Sequence, residues 1–340
     1  MPAFLTRYQN GEREQVWADL NSLGPNVRDK EYLEDAYAVA QETMRRARHN
    51  VESIIVKLEK LGYEFLTASK RAEGGLKGLS QAMEMMKAVD QLTAGDRSNP
   101  HVEALRQRSR GMLDSPLFKN LLGSLQQRAA APAPVEALKN PDVFTPPGKN
   151  VAKDIKSFEK SIGGPLPLSL RAWCEIVGSV SLMGTHPVLC FRGTSTSGPM
   201  TMMLDPAMSA GSAGQAQLER MRAMGMNVVT EFPTGEETPL ADPLVVDGDP
   251  GAWDGDYEAG ETAPFPLAPD DLHKADISGD AYYMELPNGS ADAPFLDWHK
   301  ETFVGYLRIA FRWGGFPGWE RYPDRPEKEL AHLAAGLLEI

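Results

Sequence analysis

Apolar residues recur along 31–61 more regularly than anywhere else in the chain. Leu33, Tyr37, Ala40, Met44, Ala47, Val51, Ile54, Leu58 and Leu61 follow one another at spacings that alternate between four and three. An a/d seam held this long predicts one continuous helix, with Gly62 as its C-cap. At about 1.5 Å per residue, the helix is roughly 45 Å long. Such a seam has two uses: burial inside an antiparallel helical bundle, or pairing with a second copy to give a homo-oligomer through residues 31–61. A dimerising zipper prefers Leu and Ile, and this seam carries Ala40, Ala47 and Tyr37 instead, so internal packing is the favoured reading.

Around this helix the pattern stays helical. A short helix is predicted over 12–23, stopped by Gly24-Pro25. Further helices are expected over 81–92 and 102–110, and over 115–127 with Pro116 in the first turn. Arg45, Arg46 and Arg48 with His49 read as a solvated helix face, and Met83, Met85 and Met86 as core filler. Residues 1–128 are thus expected to form an all-α domain. Residues 129–150 hold five prolines and no period, which predicts a semi-extended linker.

A second domain is expected over 151–325. Val151, Ile155, Phe158 and Ile162 make one helical face closed by Gly163-Gly164, and 168–177 a second helix burying Leu170, Trp173, Cys174 and Val177. Short strands are predicted at 179–184, 186–193, 244–246 and 281–286, a loop over 200–214 and a helix over 215–224. A closing helix is expected over 296–312, and 326–340 reads as a terminal helix bearing Leu330, Leu333 and Leu337. Helices followed by antiparallel-looking strands predict an α+β fold with a mostly antiparallel sheet.

Charge changes this picture. The chain carries a net −12, but from 231 to 285 there are 15 Asp or Glu against one Lys, Lys274, so one segment holds all of the excess. Such a surface repels nucleic acid and anionic membranes, and attracts a basic protein. The N-terminus has no apolar signal-like run and no stretch approaches the roughly 18 apolar residues of a membrane span, so a cytoplasmic setting is expected. Cys174 and Cys190, both in apolar context, read as reduced thiols.

Within the acidic segment, Asp247, Asp249, Asp254, Asp256 and Glu258 bracket Trp253. An exposed Trp ringed by carboxylates has the makings of an interface anchor, so these six residues are the candidate partner-binding site, against a merely solvated loop or a buried Trp253. A calcium loop is the weaker reading: counting from Asp247, the twelfth position is Glu258, but Ala252 stands where the loop needs Gly. No histidine pair has metal-ligand spacing, Asp270-Asp271 beside His273 reads as a turn, and neither a nucleophile elbow nor a phosphate loop is present, so no metal or cofactor is expected.

The helix 151–162, the turn Gly164-Pro165-Leu166-Pro167, the Trp173 helix ending at Gly178, and the later stretches LVVDGDP and DAYYMELP together resemble the SUKH superfamily, over about residues 150–315. The turn after the Trp173 helix departs from the family's usual Asn-Gly, being Val177-Gly178-Ser179, and the helical region in front is not a family feature. Members include yeast cell-wall-synthesis regulators and many bacterial immunity proteins. The resemblance implies a non-enzymatic α+β module that binds a partner, in bacteria often a toxin such as a nuclease, which is basic because it grips phosphates. The leading expectation is therefore an immunity or antitoxin protein that meets a basic partner through an acidic surface. The alternatives are an adaptor assembled through the long helix and a hydrolase using carboxylates from 247–271.

Overall fold

The computed structural model describes residues 3–70, 115–130, 136–189, 201–203, 227–229, 243–253, 265–269, 281–296, 300–321 and 325–340, with isolated positions between 72 and 80 and at 323. In chain order the helices are α1 (Phe4–Gln9), α2 (Arg13–Ser22), α3 (Leu33–Lys60), α4 (Pro116–Ala129), α5 (Val151–Ser161), α6 (Leu168–Ile176), α7 (Phe303–Arg312) and α8 (Glu327–Ala334). The strands are β1 (Glu64–Phe65), β2 (Phe144–Thr145), β3 (Ser179–Ser181), β4 (Gly184–Thr185), β5 (Thr201–Met203), β6 (Asn227–Val229), β7 (Val245–Val246), β8 (Phe265–Pro269), β9 (Ala281–Met284) and β10 (Phe295–Leu296). The fold is α+β, with a helical N-terminal region and predominantly antiparallel sheets. Among the described residues no helix is long and apolar enough to cross a membrane.

The chain forms two compact units. One comprises residues 1–66, 134–192 and 239–340; the other comprises 67–133 and 193–238. The second unit includes α4, with Pro116 in its first turn, and the parallel pair β5–β6, which lies partly where a loop was expected. The helices expected at 81–92, 102–110 and 215–224 lie outside the described residues.

The units do part within 129–150, between 133 and 134, but residues 1–66 fall on the far side of that boundary from 67–133. Residues 1–66 share a single hydrophobic core with 134–192 and 239–340. The reason lies on α3. Besides the seam residues Ala40, Met44, Ala47, Val51, Ile54 and Leu58, the helix also buries Ala36, Val39, Thr43 and Ile55. A helix apolar on so wide a face cannot be covered by α1 and α2 alone, and α6 packs along it. Arg48 donates to the Ile176 carbonyl at the end of α6 at 2.9 Å. The seam is thereby used inside the chain, with Met44 and Val51 fully buried. Residues 137–145 join the same core: Ala137, Val143 and Phe144 are buried, and β2 pairs with β3.

In the sheet β2–β3–β7, Phe144 faces Val180 and Val180 faces Val246, so one buried cross-strand row fixes the register. A second sheet, β10–β9–β8, aligns Phe295 and Phe265 with Met284. The backbone amide of Asp247, just past β7, donates to the Leu267 carbonyl in β8 at 3.1 Å, linking the two sheets. A β1–β4 pair sets Phe65 against Gly184. The helix expected from 296 starts later, at Phe303, because Phe295–Leu296 pairs as β10 and the Thr302 hydroxyl caps the helix by accepting from the Gly305 amide.

One buried carboxyl organises the join between helices and strands. The Ser169 hydroxyl at the start of α6 donates to Asp292 Oδ1 at 2.5 Å, and the Val304 amide at the start of α7 donates to its Oδ2 at 3.0 Å. Burial pushes the Asp292 carboxyl above the ordinary carboxylate range, against the pull of those donors.

Candidate functional site: an acidic turn

The turn that follows β7 is built from two glycines back to back. Gly178, at φ +88 just after α6, turns its carbonyl against Gly248, where a built Cβ would come within 2.2 Å of that oxygen. Only a residue without Cβ lets the two backbones approach this closely. Ser179 secures the contact: its hydroxyl donates to Asp247 Oδ1 at 2.9 Å and accepts from the Gly248 amide at 3.0 Å.

The turn then braces itself. Asp247 Oδ1 also accepts from the Asp249 amide at 3.0 Å, and Asp249 Oδ1 accepts from the Gly251 amide at 3.1 Å. These are successive Asx turns, in which each aspartate satisfies backbone donors two residues on. Both side chains are exposed, so each carboxylate is held by the backbone and still presented to solvent.

A third carboxylate joins them from a different element. Asp154 lies in the first turn of α5, and a Cβ built on Gly251 would stand 3.7 Å from its carboxyl group. Among the described residues, no Lys or Arg comes within 4.0 Å of Asp154, Asp247 or Asp249. Other acids of the same unit are spent internally. Glu159 and Glu175 share Arg171, whose Nε donates to Glu175 at 3.1 Å, and Tyr37 donates its hydroxyl to Glu175 as well. The negative field of the turn reaches inward: the buried Cys174 thiol is pushed well up, first by burial and then by Asp247.

Asp247 and Asp249 stand together and exposed, and Asp154 belongs with them although it is 93 residues distant from Asp247 in the chain. Trp253 does not serve as an exposed anchor. It is only 4% exposed, and its indole meets the Phe158 ring of α5 edge-on. Its burial fastens the end of the turn to α5, which is how Asp154 arrives beside Gly251. Asp254, Asp256 and Glu258 lie outside the described residues, as do Asp270, Asp271 and His273.

One oxygen of Asp247 and one of Asp249 are engaged by their own backbone, and among the described residues no group of three His, Cys, Asp or Glu is arranged to hold a metal ion. Cys174, buried and raised in pKa, is a poor nucleophile. No family model, curated protein or solved structure matches the chain.

Proposed function

We propose that the protein is a non-enzymatic binding module of the immunity or antitoxin type. In this reading its SUKH-like α+β part meets a basic partner, a toxin such as a nuclease, in the cytoplasm, and the acidic turn after β7 is part of the contact. One observation carries the reading. Asp247 and Asp249, exposed and backbone-braced, are joined by the half-buried Asp154 of a second element, without a neutralising Lys or Arg among the described residues. Carboxylates held in place before contact lose little freedom on binding, and their uncancelled charge steers a basic partner and speeds association.

The adaptor reading loses ground because the long seam is consumed within the chain's own core. The hydrolase reading has less behind it: of the carboxylates of 247–271 only Asp247 and Asp249 are described, and each has one oxygen engaged by backbone amides.

The test is capture of partners from the native cell at low and at high salt, using the wild type and an Asp154→Lys/Asp249→Lys variant. The expected result is a basic protein retained by the wild type at low salt, released at high salt as screening shortens the reach of surface charge, and absent with the variant. Capture of the same proteins by both chains at both salts would remove the basis of the proposal.

A further inference from the structure

Residues 335–340 leave α8 at a turn and run on with neither helical nor sheet structure, lying against α2, α3 and α7. Most of what holds them is addressed to their backbone. Asn50, wholly buried on α3, accepts from the Leu338 amide at 2.7 Å and donates to the Leu338 carbonyl at 2.8 Å. This two-point grip on one residue is what a neighbouring strand would supply. Lys57 donates to the Leu333 and Ala335 carbonyls at 2.9 and 2.6 Å, and Arg308 Nε to the Ile340 carbonyl oxygen at 2.8 Å.

Side-chain recognition is sparse. Ile340 alone of the six is buried, Leu338 is 40% exposed, and the Glu339 carboxylate reaches Arg13 at 2.8 Å from a side chain that is 84% exposed. Beside the segment a cavity of about 550 Å³ stays open between α2 and α7, lined by Arg308, Phe311, Arg312, Leu337 and Ile340. The pocket is open to solvent, so there is room beside the segment for a larger occupant. A pivot is also present: Gly336 is exposed, at φ +73, with open space around its Cβ position.

The surrounding charge says what else fits. Arg13, Arg46, Lys57, Arg308 and Arg312 border the segment in a chain of net charge −12; Arg46 is also paired with Glu42, and of the acids on the same rim Glu12 is paired with Arg7 while Glu14 acts on Arg308. We propose that this cleft is a receptor for an extended segment of a partner protein that carries an acidic residue followed by an aliphatic one, and that residues 335–340 are its displaceable resident. Backbone groups common to every peptide supply the grip, Arg13 selects the acid, and the Ile340 site selects the aliphatic anchor. A longer or bulkier occupant also fills the cavity that the resident leaves open.

The proposal is independent of the acidic turn, and its test is separate. Fluorescently labelled peptides copying 336–340, with Glu or with Lys at the position of Glu339, are titrated onto the full-length chain and onto its Ile340→Ser variant. Loosening the resident raises the competent fraction, so the Glu peptide is expected to bind Ile340→Ser about tenfold more tightly than wild type. The Lys peptide is expected to bind neither, and Asn50→Ala introduced with Ile340→Ser is expected to abolish binding. Equal affinity for both chains, no binding to either, or indifference to Asn50 would overturn the proposal. So would a wild-type dimer, seen by light scattering, that Ile340→Ser dissolves, since the cleft would then serve a second copy. Hydrogen exchange on the unmodified chain gives a readout free of folding defects. The Leu338 amide should exchange far faster than the Val51 amide at the centre of α3, and equal rates would mean that the segment leaves only when the whole unit unfolds.

Discussion

The indole of Trp253 meets the ring of Phe158 edge-on, with centroids 5.0 Å apart and planes at 69°. This contact ties the turn after β7 to α5, and it makes Trp253 a core residue beneath an acidic surface. Trp253→Ala is therefore expected to cost about 3–5 kcal/mol of stability, as a buried aromatic truncated to Ala does. Trp253→Phe, which keeps an aromatic on Phe158, should lose much less. Urea unfolding of the three chains gives the comparison. A stability loss under about 1 kcal/mol for the Ala variant would return Trp253 to the surface.

The α3 seam yields a prediction with a similar logic. Met44 and Val51 are fully buried within their own chain, so Met44→Asp and Val51→Asp each place an unpaired carboxylate in an apolar interior. That is among the costliest classes of substitution. The expected outcome is loss of cooperative folding, seen by circular dichroism and thermal melts. Folded, soluble monomers made from a formerly dimeric wild type would show that the seam faces another copy.

The difference between these two residues explains how far the sequence could be read. Spacing along one helix is local information, and the period of four and three marks α3 with bounds of Leu33–Lys60. Spacing is silent on what covers the face: Ala36, Val39 and Ile55 widen the stripe until α6, more than a hundred residues onward, is needed to close it. The core that 1–66 shares with 134–192 and 239–340 follows from that width. The acidic turn was legible as composition, because Asp-Gly-Asp-Pro-Gly is turn chemistry and charge can be counted. Its third carboxylate was not, since Asp154 reaches Gly251 only through the packing of Trp253 on Phe158. Asp292 was missed for a related reason: nothing local distinguishes a carboxyl destined for burial from the exposed ones around it.

Asp292 makes stability depend on pH. Its folded-state pKa is raised above the ordinary 3.8, chiefly by burial, while Ser169, Thr302 and the Val304 and Ala293 amides oppose the shift. The folded chain therefore binds this proton more tightly than the unfolded chain. The contribution is fully present below the unfolded pKa and is lost as pH rises through the folded pKa. Denaturation of wild type and Asp292→Asn at a series of pH values isolates it. The advantage of wild type over the variant should shrink as pH climbs from below 3.8, and a constant or growing advantage would mean that the carboxyl folds in its charged form without penalty.

Gly248 offers a way to disturb the proposed interface without touching a charge. A Cβ there would sit 2.2 Å from the Gly178 carbonyl oxygen, and backbone on both sides leaves no flexible side chain to yield. Gly248→Ala must push the turn away from Ser179, whose hydroxyl now holds both the Gly248 amide and Asp247. A loss of about 1–3 kcal/mol is expected from such overpacking. Binding of the basic partner should also weaken, because Asp247 and Asp249 move relative to Asp154 although all three remain. Gly251→Ala is the matched control: its Cβ would meet only the Asp249 side-chain oxygen at 3.3 Å and the Asp154 carboxyl group beyond it, which small shifts can relieve. If the interface depends on placement as well as on net charge, Gly248→Ala loses binding and Gly251→Ala keeps most of it, as titration calorimetry would register. Equal binding by both variants would reduce the turn to a source of diffuse negative charge, and the braced hydrogen bonds around Asp247 would then matter to folding alone.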